Sequence, residues 1–325
     1  MAVINIDDAY ILNETGAQVD KVTGLFTKDE ETTEEEKAFA QLNIGASGGG
    51  GGGRNLLTNP FFQINQRSFT TGTNGAYFAD RWKLSNTDLI TATRNNDGTV
   101  TFTKTSGGTS TFIQHYIDRQ TGLDEEATYT ASLMDGDGNV YSVTEKFVPN
   151  TQSEKPVFIN GIRVAIGLYG KGGQIWMGLY LQPASSGSFT LKAAKLELGE
   201  VSTLAQDAPP AYEQALNDCQ YRCVVYESMP VNFLFCRGVA TTTTNLRAVI
   251  DLPRSMAKDK VPTVTITGNL TTPQGNTITA MSSASTVVRG NKLVVNCTTS
   301  GLTGGNTYDI STGNGGQTIT ISADL

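Results

Sequence analysis

The sequence predicts a mainly β fold, and three observations support that prediction. Only 17% of the 325 residues are charged and 35 are glycine, a composition that favours short strands and tight turns over long helices. Turn signals such as NDG at 96–98 and DGDGN at 135–139 separate Thr-rich segments at short intervals. The chain is longer than the roughly 100–200 residues of an ordinary domain, so we expect two β-sandwiches with separate cores.

Composition also excludes several classes of partner. A net charge of −7 with a pI near 4.9 lacks the basic surface that binds phosphates, so no nucleic acid is expected. The N-terminus does not resemble a signal peptide and no stretch approaches the roughly 20 apolar residues of a membrane span, so we expect a soluble chain without membrane insertion. The chain has enough potential core to need no disulfides, so the four cysteines are expected to be reduced and buried. They lie far from the only histidine, His115, so no metal or cofactor is expected.

The sequence shows no catalytic pattern, and we do not expect an enzyme. A single histidine excludes most Ser-His-Asp and Cys-His arrangements, and no zinc-protease, phosphate-loop or nucleophile-elbow motif is present. Paired carboxylates for glycoside cleavage stay open, because two acids that are distant in sequence can meet in the fold. The turn at 135–139 imitates the start of a calcium loop, but Lys146 stands where the bidentate Glu would be, so a hairpin turn is expected.

The first 53 residues are predicted to be an attachment segment followed by a linker. Thr33 and Glu36 form a capping box that opens a short helix ending near Asn43. Residues 1–46 hold too few apolar side chains to form a core alone, so they should order against copies of themselves or another protein, the alternative being a disordered acidic tail. The Gly-rich linker 47–53 is flexible, since the sequence around it offers no lysine to make it a phosphate-binding loop.

The rest of the chain divides into a first β-domain at 54–208, a connecting helix at 209–223 and a C-terminal β-sandwich at 224–325. Pro209 and Pro210 suit the first helical turn. Apolar residues then recur at steps of four and three, which is typical either of three helices about a threefold axis or of one helix lying on a sheet. The stripe is made of Tyr212, Leu216, Cys219, Cys223 and Tyr226.

The first β-domain opens with a short segment in which apolar and polar residues alternate. Phe62 and Ile64 fall on one side of this strand-like segment. Farther on, Trp82 follows Asp80 and Arg81, which predicts a buried ring with a charged pair above it.

The hairpin at 162–181 predicts a core face. If residues 170–173 form a four-residue turn, Leu168 pairs with Ile175, and Met177 falls on the same continuously apolar side of the ribbon. That side must line the core of the first β-domain.

The other side of the same hairpin carries the candidate binding residues. In this register Trp176 stands opposite Gly167, and Tyr180 stands opposite Arg163. Two aromatic rings with small neighbours and an arginine form a ledge on which the flat face of a sugar could stack. The alternative, of equal weight, is that another element or a neighbouring subunit covers this ledge.

Several motifs, in their order along the chain, resemble bacteriophage tail-fibre and receptor-binding proteins. They are T-x-E-E-E-K-A-F-A-Q-L-N-I-G-A at 32–46, N-L-L-x-N-P-F-F-x-I-x-Q-R at 55–67, Y-x-x-D-R-W at 77–82 and G-S-F-x-L-x-x-A-K-L-E-L-G at 187–199. The resemblance covers roughly half of the chain. It implies that 54–208 is a carbohydrate-binding-module-like jelly roll in which Trp82 and Leu196 are core residues and Asp80 pairs with Arg81.

The resemblance also implies a function. The chain would be a structural protein of the virion, assembled in the bacterial cytoplasm and exposed on the particle surface. It would form a homotrimer, bind another virion protein through residues 1–46, and attach the particle to a host-surface glycan or protein. The alternatives are a purely structural head, collar or baseplate decoration and, with less support, a polysaccharide-cleaving fibre.

Overall fold

The computed structural model describes residues 53–73, 75–85, 90–105, 111–117, 127–148, 155–171, 174–181, 186–257, 261–289, 291–313 and 315–324. The predicted attachment segment 1–46 and the linker as far as Gly52 lie outside these residues. Residues 55–205 and 209–325 form one compact unit, and this unit contains two β-sandwiches.

The first sandwich consists of two antiparallel sheets of six strands each. One has the order β1-β4-β5-β12-β7-β8 and the other β2-β3-β6-β11-β10-β9. The strands are β1 (Thr71–Gly72), β2 (Tyr77–Ala79), β3 (Trp82–Ser85), β4 (Ile90–Arg94), β5 (Val100–Lys104), β6 (Thr111–Tyr116), β7 (Thr128–Asp135), β8 (Val140–Lys146), β9 (Lys155–Ile159), β10 (Ile162–Lys171), β11 (Gln174–Leu181) and β12 (Gly187–Leu198). The expected hairpin turns at 96–98 and 135–139 are confirmed, since they join β4 to β5 and β7 to β8.

The second sandwich follows a short helix and packs a three-stranded sheet against a seven-stranded one. The strand orders are β13-β22-β16 and β18-β17-β21-β14-β15-β20-β19. Its strands are β13 (Cys223–Met229), β14 (Leu234–Ala240), β15 (Asn245–Asp251), β16 (Thr263–Thr267), β17 (Leu270–Thr271), β18 (Thr277–Ile278), β19 (Ala280–Arg289), β20 (Lys292–Thr298), β21 (Thr307–Thr312) and β22 (Gln317–Ser322). The predicted mainly β fold with β-sandwiches is confirmed, whereas the finer jelly-roll assignment stays a prediction.

Each sandwich has its own core. Aromatic rings dominate the first, where Trp82 meets Phe62 edge-on at 5.2 Å and Phe78 meets Phe102 at 5.0 Å. Leu196 is buried in the same core as Trp82, as expected. The second core is built mainly from aliphatic side chains, methionine and cysteine, and it also contains Tyr308. All four cysteines are buried and free, which confirms the expectation for them.

The hairpin β10–β11 has the predicted apolar face but a different register. Leu168 pairs with Met177 rather than Ile175, so the strands are shifted by two residues and the turn is shorter. A shift of two preserves which side of the sheet each residue faces, and Met177 and Leu168 both lie in the core.

The connecting helix, α1 (Tyr212–Gln220), is shorter than the predicted 209–223. The predicted stripe along it is wrong, because Cys223 and Tyr226 lie on β13. Ala215 and Cys219 of α1 pack on Ile64 of the first sandwich. The helix therefore packs on the non-strand opening segment of the first sandwich, and the expectation of a helix lying on a sheet stays a prediction.

The segment around Phe62 is not a strand. Phe62 has a φ of 55°, and the Asn59 side chain binds both the amide and the carbonyl of Ile64, at 3.0 and 2.9 Å. The backbone therefore turns between Phe62 and Ile64. Phe62 enters the main core and Ile64 the small cluster under α1.

Candidate functional site

Three aromatic side chains stand side by side on the outer face of the second sheet of the first sandwich. Strand register places Tyr116 of β6 directly beside Trp176 of β11, and Trp176 beside Tyr169 of β10. The Tyr169 and Trp176 rings are stacked at 5.8 Å with an angle of 14°, and the Tyr116 and Trp176 rings lie 6.3 Å apart at 58°. We call Tyr116, Trp176 and Tyr169 the aromatic row.

A glycine makes room for this row. A Cβ atom on Gly178 would lie 2.6 Å from Cε2 of Tyr169, so the Tyr169 ring lies directly over Gly178. Tyr169 is buried, although it lies on the outer face of the sheet. The predicted ledge had open space above Gly167 and Gly178, since glycine has no side chain. The Tyr169 ring fills this space.

The exposed side of the row combines ring surface with polar atoms. Trp176 and Tyr116 are half-buried. The Tyr116 hydroxyl donates to Oε1 of Gln114 at 3.3 Å, and burial followed by the charge of Asp324 raises the pKa of Tyr116. Nε1 of Trp176 is buried and has no hydrogen-bond partner among the described residues. The exposed side of the row thus offers aromatic ring surface and the amide of Gln114.

The structure separates the three residues that the sequence predicted as a site. Trp176 belongs to the row, but Tyr180 pairs with Ala165 instead of Arg163. Arg163 is six residues from Tyr169 along β10, which is about 20 Å, and it pairs with Phe158 of β9. Arg163 cannot touch a sugar ring that lies on Trp176. Sequence reasoning missed Tyr116, whose register with Trp176 depends on a strand 60 residues away.

A buried cluster of charges lies next to the row, and it joins the two sandwiches. Arg81 donates from Nη1 to Asp324 at 2.6 Å, and Arg67 donates from Nη2 to the other oxygen of Asp324 at 2.7 Å. Arg67 also reaches Asp80 at 3.4 Å. We call Arg67, Asp80, Arg81 and Asp324 the ionic joint. The expected pair of Asp80 with Arg81 is wrong, since each of the two residues binds a different partner.

The two carboxylates of the joint differ in their electrostatics. Burial works against the ionised form of Asp324, but the charges of Arg81 and Arg67 outweigh it and lower the pKa. Burial raises the pKa of Asp80, and Arg67 with a 2.6 Å hydrogen bond from Gln66 offsets this only in part. Asp324 is thus the anion that holds the joint together.

The opening motif supplies most of this arrangement. Nδ2 of Asn59 donates to the backbone carbonyls of Ile64 and Asp80. The backbone carbonyl of Asn59 accepts from Nε1 of Trp82. Gln66 donates to Asp80 and also to the carbonyl of Cys223 at the start of β13. The polar residues of the motif therefore fix the loop that carries the joint and tie it to the second sandwich.

The histidine, the cysteines and the acidic residue that begins the calcium-like turn are shielded. The Thr58 amide donates to Nε2 of His115 at 3.1 Å, and burial together with the charge of Arg81 lowers the pKa of His115 to about 3. Burial raises the pKa of all four cysteine thiols. Asp135, the first residue of the calcium-like turn, accepts bonds from the amides of Asp137 and Asn139 and from the Tyr141 hydroxyl.

No group of three or more metal-ligating side chains occurs in the ranges described above. Within the same ranges, no helix has the length and apolar character needed to cross a membrane.

No protein-family model fits the chain, and no curated protein is significantly similar to it. Any functional assignment therefore rests on the residues of the chain itself.

Proposed function

We propose that the protein is a structural protein of a bacteriophage particle, a fibre or receptor-binding protein that attaches the virion to a glycan on the host surface. The observation that carries the proposal is the aromatic row. Trp176 and Tyr116 are half-buried and adjacent on an outer sheet face. The motifs of the sequence supply the biological context.

A sugar suits this surface because it combines C–H faces with hydroxyl groups. A pyranose ring can lie against an indole or phenol, and such aromatic contacts contribute roughly 0.5–1.5 kcal/mol each. A ring hydroxyl could bind the amide of Gln114, which already contacts the Tyr116 hydroxyl. One face of Trp176 is covered by Tyr169, so the ligand would contact the ring from the Tyr116 side.

The two carboxylates of the ionic joint do not supply the pair of acids that cleavage of the glycan would need. Glycoside hydrolysis needs two accessible carboxyl groups on opposite sides of the bond. Asp80 and Asp324 lie close to each other, but both are buried and bound to arginine. They hold the two sandwiches together and are not available to a substrate.

The experiment compares adsorption of the wild type and Trp176→Ala to bacterial strains and to polysaccharides extracted from them. We expect the variant to bind roughly 2- to 10-fold more weakly, while its Tm stays within a few degrees. Phe158→Ala is the matched control, because Phe158 is a 62% exposed aromatic on the same sheet, outside the row. Unchanged adsorption of Trp176→Ala would reject the site. Loss only in Phe158→Ala would move the site to the Arg163 end of the sheet.

The proposal includes a homotrimer that docks on another virion protein through residues 1–46. The capping box at 33–36 supports it, whereas α1 is too short to supply the predicted stripe. Light scattering of the full chain and of a chain lacking residues 1–46 tests this part. We expect a trimer mass for the full chain and a monomer mass after truncation, and a monomeric full chain would contradict it.

A further inference from the structure

The guanidinium of Arg81 links the C-terminal sandwich directly to the aromatic row. Nη1 donates to Oδ1 of Asp324 at 2.6 Å, and Nη2 donates to the backbone carbonyl of Tyr116 at 2.7 Å. Asp324 and Tyr116 belong to different sandwiches, and Arg81 lies buried between them. A single planar group therefore holds both ends of this contact.

The backbone of Arg81 does not continue the ladder between β3 and β6, so its side chain makes the contact with Tyr116 instead. The ladder between β3 and β6 ends at the pair of Trp82 with His115, so Arg81 stands where the next partner of Tyr116 would be. Arg81 has a φ of 73°, a conformation that is rare for a residue other than glycine. The side chain of Arg81, instead of its backbone, hydrogen-bonds to the Tyr116 carbonyl. A strained residue held by buried contacts on two sides is typical of a functional constraint.

Groups from both sandwiches fix the carboxylate of Asp324. Arg67 binds its other carboxylate oxygen, and the Ser322 hydroxyl contacts the same oxygen at 3.2 Å. The preceding residue, Ala323, donates from its amide to the carbonyl of Arg222, immediately before β13. The position of Arg81, and through it the end of β6, is thus set by the last residues of the chain.

We propose that Asp324 is a positioning residue for the glycan site, acting through Arg81 on Tyr116 and thereby on Trp176. The proposal rests on the proposed function for the identity of the ligand, but the coupling itself is a property of the fold. Coupling of this kind is reciprocal, so a ligand on the row also strengthens the contact between the two sandwiches. The C-terminal sandwich would then sense whether the glycan site is occupied.

The test observes Trp176 in the folded full-length protein. The chain has two tryptophans, so labelling with 5-fluorotryptophan gives two ¹⁹F resonances, and Trp176→Phe assigns them. We expect Asp324→Asn to move the Trp176 resonance by more than its linewidth and to weaken polysaccharide binding about 5-fold or more. The matched control is Asp309→Asn, which breaks an exposed 2.5 Å ion pair with Arg237 in the same sandwich and should change neither quantity.

Arg81→Lys is the second variant, in case Asp324→Asn does not fold. A single ammonium group retains the charge but does not reproduce the two-sided planar contact, so the same resonance should move. A folded Asp324→Asn or Arg81→Lys protein whose Trp176 resonance matches the wild type would overturn the coupling, whatever its Tm. If Trp176→Ala binds polysaccharide normally while Asp324→Asn still moves the Trp176 resonance, the proposed function fails and the coupling stands.

Discussion

The ionic joint and the aromatic row meet at Tyr116, but they differ in hydrogen bonding and in burial. In the joint, both oxygens of Asp324 accept from arginines, and Asp80 accepts from Gln66 and Arg67. In the row, Nε1 of Trp176 is buried and has no partner among the described residues. Tyr116 and Trp176 are half-buried, whereas Asp80, Arg81 and Asp324 are buried. The joint therefore has the properties of a structural contact, and the row has ring surface that a ligand could reach.

The largest effect is expected beneath the row, on the core side of the same strand. Met177→Asp would place an unpaired charge in the first core, where Met177 is fully buried, and should lower the free energy of unfolding by at least about 4 kcal/mol. Chemical denaturation checks this. Met177→Leu is the control, since a swap of similar volume should lower it by less than about 1.5 kcal/mol. A well-tolerated Met177→Asp would mean that Trp176 faces the core, which would remove the row.

A smaller loss is expected in the joint, and it should differ between the two carboxylates. Removing one partner of a buried ion pair destabilises by about 3–5 kcal/mol, so Asp324→Asn should lower the free energy of unfolding by about 3 kcal/mol at pH 7. Asp80→Asn should lower it by less, because burial already disfavours the ionised form of Asp80. Urea denaturation of both variants measures the difference. Equal losses would show that Asp324 is not the main anion of the joint.

The buried His115 gives the region a pH dependence. Its pKa is lowered from 6.5 to about 3, so the unfolded chain binds a proton that the folded chain does not, and stability decreases as the pH falls below 6.5. The expected slope is about 1.4 kcal/mol per pH unit. Between pH 6.5 and 4.5 carboxylates of ordinary pKa stay ionised, and the difference in slope between the wild type and a variant without the only histidine reports the titration of His115. His115→Asn should flatten the slope there, and a slope that persists would place the titrating group elsewhere.

Below pH 4.5, the further decrease in the free energy of unfolding should come from protonation of Asp324. Its folded-state pKa lies below the ordinary value of 3.8, so its stabilisation is complete above that value and is lost as the pH falls through the folded-state pKa. The contribution of Asp80 to the free energy of unfolding changes with pH in the opposite direction, because its pKa is raised. This contribution is largest below pH 3.8 and is lost as the pH rises through the folded-state pKa.

The smallest effect on stability is expected in the row itself. In Gly178→Ala the new methyl group would come within 2.6 Å of the buried Tyr169 ring, which must move, so the free energy of unfolding should fall by about 1–2 kcal/mol. Gly304→Ala is the control, since no atom lies within 4 Å of a Cβ at that position. The ¹⁹F resonance of Trp176 should shift in Gly178→Ala and stay in place in Gly304→Ala. An unshifted resonance would mean that Tyr169 does not hold Trp176.

Local patterns in the sequence predicted the sheets, the main turns and the apolar face of the hairpin. The register was wrong because the Gly-rich run at 170–173 is compatible with turns that differ by two residues, and both place Met177 in the core. Alternation also failed at Phe62, where the Asn59 side chain competes with strand geometry.

The partners in the joint could not be predicted, because 243 residues separate Arg81 from Asp324. The Y-x-x-D-R-W motif indicates that charges flank Trp82, but its adjacent Asp80 and Arg81 suggest a local pair. Only the packing of the two sandwiches brings a residue next to the C-terminus into this cluster. An arginine directly before a core tryptophan indicates a buried cation. It does not identify the anion that pairs with this cation.

The most direct test of a glycan site at the aromatic row is a ¹⁹F titration of the 5-fluorotryptophan-labelled full chain with polysaccharide extracted from a strain to which the protein adsorbs. Trp176 is half-buried in the row, whereas Trp82 is enclosed in the first core. We predict a saturable shift of the Trp176 resonance and no change for Trp82. Binding that saturates by an independent assay while the Trp176 resonance stays fixed would contradict the assignment of the row as the attachment site.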